Sequence, residues 1–554
     1  MSSLNLRRGS SLLAAVALAV GGLAVVPGAA FAAPAPAVVA ADAQVPSLVD
    51  LDTDATGSIT VHKYQKTDAN GTAAGDGQQA TPDGAPVQGV VYKIEKLNNI
   101  DLTTQAGWEK LASHSNSVSA AVAGQGVTAA GTNQTTDGNG TATFSNLALG
   151  AYVVTEVSAP AGYTLSAPFI VTVPMTNATD TTKWDYDPDV YPKNAKTEVK
   201  KTVDDAAAHT VGDNINYTVS ADIPNLPADQ TLGYYAIVDQ YDARMELTAG
   251  SVVVKYGDTT LADTDYTLSE ITTAFDGDGN TATTNDSVKR VSVVLTDAGR
   301  KKILDARRAG TADKVTMTLT TTIKAPIAGN GIVPNTAYVL PNTPSNGWDP
   351  ATSTTPPPDT PPSSTVTSKF GKVKITKTDL SSKALGGAEF QVYLCTMQDD
   401  SAITLTDNFT AGDYKLVGSP LTAYSVAADG TATATEQNTF TSAADGTVTI
   451  DALQNNDWEN NATDTTPDAY CLVETKAPSG FELQTKPIAF QVLQSNSTAD
   501  NSYTIGTTVK DVPSNGSFKL PLTGAAGVIA LVLAGGLLVG GSVFLGMRNK
   551  RRNA

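Results

Sequence analysis

Along most of the chain, apolar and polar side chains alternate at a period of two, in short runs ended by Gly, Asp, Asn or Pro. TATFSNL, AYVVTEV, NINYTVSADI, SVVVKYG, RVSVVLT, VTMTLTTTI, KVKITKT and AFQVL are examples. Runs of this kind, rich in β-branched residues, predict half-buried strands joined by frequent turns, and so an all-β sandwich architecture. LTDAGRKKILDARRAG, residues 295–310, departs from the period and predicts a single surface helix.

Both ends depart further. Arg7 and Arg8 precede an apolar stretch from Leu12 to Val26, then Pro27-Gly28 and Ala30-Phe31-Ala32. A basic flank, a short apolar core and small residues at the cleavage positions predict a secretory signal peptide over 1–32, cut after Ala32. Residues 525–547 predict a transmembrane helix, its uncharged run from Ala525 to Gly546 being long enough for a ~30 Å hydrocarbon core. Arg548, Lys550, Arg551 and Arg552 lie in the tail, 548–554, and mark it as cytoplasmic. The body therefore lies outside the membrane.

Within the body, TSTTPPPDTPPSSTVTS marks a stiff, extended linker over 351–366. GSITVHKY from Gly57 resembles GKVKITKT from Gly371, and YVVTEVSAPAGY from Tyr152 matches YCLVETKAPSGF from Tyr470. The first and last regions are therefore expected to be relatives around an unrelated insert. The expected divisions are 48–193, 194–350 and 367–515. DGDGNTATTNDS from Asp276 has Thr281 and Ser287 where a calcium loop of the EF-hand type needs Gly and Glu, and reads as a polar turn.

Composition narrows the function. A formal net charge of −18 and a pI near 4.6 argue against a nucleic-acid groove. Only 3 His occur, His62, His114 and His209, in unrelated contexts, which leaves little for a catalytic triad or zinc site; they read as ordinary surface or strand residues. No metal or cofactor set is expected. Cys395 and Cys471 alternate with apolar neighbours, so both sulfurs share the face opposite the core, and outside the cell they are expected to form a disulfide.

Leu520-Pro521-Leu522-Thr523-Gly524 stands directly before the apolar span and basic tail. In that order these features resemble the LPxTG sorting signal of Gram-positive surface proteins. The resemblance implies cleavage between Thr523 and Gly524 by a sortase, leaving an acyl-enzyme that awaits an amine. TTKWDYDPDVYPKN holds Trp184, Val190, Tyr191, Pro192 and Lys193 and resembles the pilin motif of sortase-assembled pili, with Pro188 in place of the first Val. Carried over, Lys193 is the amine that joins the Thr523 carbonyl of the next subunit.

YCLVETKAPSGF further resembles the E-box of that family, centred on Glu474. In such Ig-like, Cna-type modules a buried acid serves an internal isopeptide bond between a Lys of the first strand and an Asn or Asp of the last. The match selects Lys374, Glu474 and Asp511 in the last region. Strict alternation, however, sets Lys374 opposite Val373 and Ile375, leaving Lys372 or Lys377 as alternatives. The middle region resembles the central module of major pilins. It offers Lys201, or its neighbour Lys200, with Asp239 as proton shuttle and Asn335 as acceptor. In the first region Thr60 stands where Lys374 stands, so no internal bond is expected there and Glu156 is expected to be a buried structural acid.

The chain is thus similar to the major shaft subunits of corynebacterial and actinomycete fimbriae. The implied architecture is all-β: three tandem Ig-like β-sandwich domains between a signal peptide and a C-terminal transmembrane helix. The implied partners are identical subunits in a head-to-tail polymer, a pilus-specific sortase, a minor or tip pilin and peptidoglycan. Such a chain is a substrate that crosslinks itself once, and no turnover enzyme. A monomeric wall-anchored adhesin is the competing reading; a hydrolase is disfavoured by the scarcity of His.

Overall fold

A computed structural model describes residues 46–514 apart from 68–83, 115–116, 161, 178, 227–229, 277–286, 328–329, 345–346, 359, 406–407 and 427–434. The expected signal peptide, sorting signal, membrane span and basic tail lie outside the described residues, as does nearly all of the turn after Asp276. Among the described residues, no helix is long and apolar enough to cross a membrane.

The first region carries β1 (Thr56–His62), β2 (Tyr64–Lys66), β3 (Val91–Leu97), β4 (Thr141–Ala148), β5 (Gly150–Ser158), β6 (Phe169–Val173), β7 (Asp189–Val190) and β8 (Lys193–Ala195). β1 lies between antiparallel β4 and parallel β7, while β3, β5 and β6 form the facing sheet. Ile59, Val61, Tyr92, Phe144 and Val154 close the core between them. Gly57 lets the returning chain lie flat on β1, since a Cβ there would stand 1.8 Å from the Tyr186 carbonyl oxygen. Between β3 and β4 the chain forms two short helices, α1 (Gln105–Ala112) and α2 (Val118–Gln125). The sequence reading misses both, because they are brief and find their apolar cover in a tertiary cluster around Trp108.

The middle region carries β9 (Val199–Asp204), β10 (Asn214–Asp222), β11 (Ala236–Asp242), β12 (Tyr266–Asp276), β13 (Ser287–Leu295), α3 (Asp297–Arg308), β14 (Lys314–Ile323) and β15 (Ile332–Leu340). The expected helix is α3, capped by the Thr296 hydroxyl. The Pro-rich stretch after β15 is packed rather than free-standing. Arg290, fully buried between Phe275 and Trp348, donates to the carbonyls of Ser353 and Thr355, and Ser363 N donates to the Ala337 carbonyl.

The last region carries β16 (Val366–Asp379), β17 (Glu389–Thr396), β18 (Thr447–Gln454), β19 (Ala469–Lys476), β20 (Ile488–Phe490) and β21 (Thr504–Asp511). β16 is shared: its start pairs with β15 and its remainder lies between antiparallel β18 and parallel β21. The protein is mostly β, as the alternation predicts.

Candidate functional site

The inward face of β16 continues from Val373 through Ile375 to Lys377, because residues two apart share a face. Lys377 is 0% exposed, ion-paired to Glu474 at 2.7 Å and also to Asp511. Gln484 N donates to Glu474 Oε2 at 2.9 Å, and the Phe390 ring lies beside the amine. Burial pushes the Glu474 carboxyl up, and the Asp511 charge adds to this while Lys377 opposes it. Lys374, favoured by the motif match, points to solvent from the opposite face, as alternation expects, and of the two alternatives Lys377 is the buried one and Lys372 is not.

In the middle region Lys201 shares the inward face with Val203 and pairs with Asp239, whereas Lys200 is exposed. Burial lowers Lys201 and raises Asp239, each opposed by the other's charge, so both are driven toward their neutral forms. The Lys201 amine lies 4.6 Å from the centre of the Tyr217 ring. Asn335 is buried against Asp239 and Tyr217, yet neither of its amide atoms finds hydrogen-bond geometry.

The first region overturns the expectation that it lacks an amine. Lys63, 0% exposed, donates to Glu156 Oε2 at 2.9 Å, Asn194 Oδ1 at 2.5 Å and Ser166 Oγ at 3.3 Å. Asn194 Nδ2 donates to the other oxygen of Glu156. Burial brings the Lys63 ammonium down to about 8, against the pull of Glu156 and with a smaller push from the Lys193 charge. Glu156 is buried and hydrogen-bonded as expected, but it belongs to a full Lys–acid–Asn set. The missed signal is spacing: Lys63 follows Gly57 at the interval by which Lys377 follows Gly371. Thr60 instead faces outward, beside Thr143.

Lys193 stands beside this set, on an edge. β8 runs parallel to β2, pairing Lys193 with Tyr64 and Asn194 with Gln65. Alternation turns Asn194 inward and leaves Lys193 half-exposed, with no hydrogen bond or ion pair among the described residues. The other motif residues fasten the strand. Trp184 stacks on Trp108 at 5.6 Å, Val190 packs on the first core, and Tyr191 stacks on His62 at 4.8 Å. Pro188 loses no ladder bond on this edge, since its carbonyl accepts from Thr60 N.

Cys395 on β17 and Cys471 on β19 form the expected disulfide, Cα to Cα 5.7 Å, in a small cluster on the far side of their sheet. Among the described residues no group of His, Cys, Asp and Glu could hold a metal ion.

Comparison with known proteins gives three family matches: a Gram-positive pilin subunit N-terminal domain over residues 54–195, a prealbumin-like fold domain over 371–505 and an LPXTG cell wall anchor motif over 512–554. The chain is 40% identical to fimbrial subunit type 1 of Actinomyces viscosus over 576 residues, covering 100% of this chain and 99% of that one. It is 31% identical to fimbrial subunit type 2 of Actinomyces naeslundii, covering 91% and 92%. The full-length major pilin SpaD from Corynebacterium diphtheriae superimposes with a TM-score of 0.57 at 29% identity, covering 84% of this chain and 99% of that one.

Proposed function

The chain belongs to the Gram-positive fimbrial subunits and is anchored at the cell wall as part of a surface pilus, and on that premise we propose that it is the shaft subunit of a covalent polymer. A sortase cleaves after Thr523, and the resulting thioester carbonyl passes to the Lys193 amine of the next copy, releasing the enzyme thiol. Repetition is head-to-tail and does not close, so it builds a filament. The observation that carries this reading is the pairing of neighbours on β8: a buried Asn194 and, beside it, a half-exposed Lys193 amine with no hydrogen bond or ion pair among the described residues. Lys193 is thereby offered to an outside reagent while the residue next to it is offered to an inside one.

The internal reagents are the three buried lysines. In each set the neutral amine attacks the side-chain carbonyl carbon of Asn194, Asn335 or Asp511. The acid beside it, Glu156, Asp239 or Glu474, takes the amine proton and returns one to the leaving group. The first two bonds release ammonia and the third releases water. These bonds tie the closing strand of each module to its opening one, so tension cannot peel the sheets. The three modules are taken as 48–195, 196–350 and 367–515, the first running past the expected boundary at 193 to take in Asn194. A minor or tip pilin and peptidoglycan are the further partners of such a shaft, which supports adhesion.

Denaturing gels of wall extracts test the polymer. Wild type should give a ladder of very large species, and Lys193→Ala should abolish it; a ladder that persists refutes the reading, and a single band in both strains supports a monomeric adhesin. Intact mass tests the internal bonds: two ammonia and one water should be missing, and an unshifted mass refutes them.

A further inference from the structure

Lys193 has a structural twin. In the last region β21 runs parallel to β16 as β8 runs to β2, with Asp379 opposite Asp511 where Gln65 is opposite Asn194. Each acceptor thus lies opposite the residue two beyond its buried lysine, and each is preceded by an exposed or half-exposed lysine, Lys510 or Lys193. Backbone position and exposure alone therefore do not single out Lys193.

The outer face of the pairing does. Asp189, Tyr191 and Lys193 share it by alternation, and His62 faces them from β1. The His62 imidazole lies 2.6 Å from Asp189 Oδ1 and stacks on the Tyr191 ring with planes 11° apart. One rung earlier, the Ser58 hydroxyl donates to Asp187 at 2.8 Å. At the equivalent places around Lys510 stand Thr376, Gly506 and Thr508, which can neither stack nor form an ion pair. The need for fastening also differs. β21 is one uninterrupted ladder along β16, whereas between Val190 and Lys193 the motif strand is held only through the Pro192 carbonyl, which accepts from Tyr64 N, because Pro192 has no N–H to give. The imidazole grips the chain there.

We propose that His62 is a positioning residue for the intersubunit reaction: by clasping Asp189 and Tyr191 it holds the Lys193 strand extended and marks Lys193, rather than Lys510, as the acceptor amine. The proposal rests on the reading of Lys193 as the nucleophile. A strand already held in the conformation the sortase binds spares the complex its ordering entropy; a loosened strand presents that conformation only part of the time and reacts proportionately less.

The test uses the full-length chain expressed in its own host with the pilus sortase present. Branched peptides joining Lys193 to Thr523, and those joining Lys63 to Asn194, are quantified by mass spectrometry. His62→Ala and Asp189→Ala should each cut the Lys193–Thr523 peptide about tenfold, and the double variant should cut it no further. The Lys63–Asn194 peptide should persist in all of them. His62→Gln, which keeps a donor for Asp189, should recover part of the loss. Wild-type levels of the Lys193–Thr523 peptide in both single variants overturn the proposal. So does loss of the Lys63–Asn194 peptide in Asp189→Ala, a change at an exposed position, because the clasp would then serve folding alone. Lys193→Ala is run in parallel: a ladder surviving there refutes the polymer reading itself, independently of the clasp.

Discussion

The first and last regions place a lysine, a glutamate and an acceptor at the same points of one scaffold, yet surround them differently. In the last region a single ammonium faces two carboxyls, Glu474 and Asp511, and the aromatic neighbour is Phe390. In the first the acceptor is an amide, the aromatic is Tyr92, and the acid accepts from Lys63, Asn194, Ser166 N and Ser166 Oγ. Ser166 and Gln484 occupy the same place in the repeat, and both give a backbone N–H to the acid; only Ser166 adds a hydroxyl. Backbone geometry thus brings the lysine, the acid and the amide or carboxyl together, while in the proposed reaction the leaving group and the ease of proton transfer would depend on one or two side chains.

The largest test of that contrast removes the amine of the last region. Lys377→Met should forfeit a bond spanning 134 residues, about 5 kcal/mol on the chain-entropy estimate used for disulfides, and also leave two buried carboxyls without a cation. Calorimetry should show one transition falling steeply, and the mass should regain a water; Lys63→Met should regain ammonia. Equal gains in the two variants would break the contrast.

Acidity should separate the regions next. Attack by Lys63 uses a proton that the set already holds, which leaves the amine and passes to the leaving group. Its rate should therefore hold level up to about pH 8, where the shared proton is lost, and fall about tenfold per unit above it. Time-resolved mass spectrometry of freshly folded chain reads this directly, and a rate that climbs through pH 9 would contradict it.

A subtler change is Ser166→Ala, which frees the carboxylate lone pair that a shuttled proton would occupy. It should speed bond formation in the first region by about tenfold, the lower end of the worth of one hydrogen bond to a charged group. The last region of the same molecule is the internal standard. Smallest of all should be Lys374→Ala, an exposed position: stability within about 0.5 kcal/mol of wild type and the last-region mass loss intact.

Much of this was legible beforehand. Alternation with Val199 and Val203 agrees with the burial of Lys201 and sets Lys374 on the outer face, and the Gly57–Lys63 and Gly371–Lys377 spacings hold the remaining answer. The first-region set escapes the sequence reading because the repeat puts Thr60, and not Lys63, at the place of Lys374, and because Asn194 stands behind the motif lysine beside it. The helices at Trp108 and the clasp formed by His62 had no comparable signal, since each depends on residues far away along the chain.

Periodicity by itself determined most strands and their inward faces, and so disfavoured Lys374, because side-chain direction in a strand is a local property of the backbone. It also carried the sorting signal and the motif, whose meaning is read along an extended chain. Which acid meets which amine, why the Pro-rich stretch is packed, and what distinguishes Lys193 from Lys510 were decided only by tertiary structure. Parallel pairing of the first and last strands of a region joins residues more than a hundred positions apart, and no local pattern records that register.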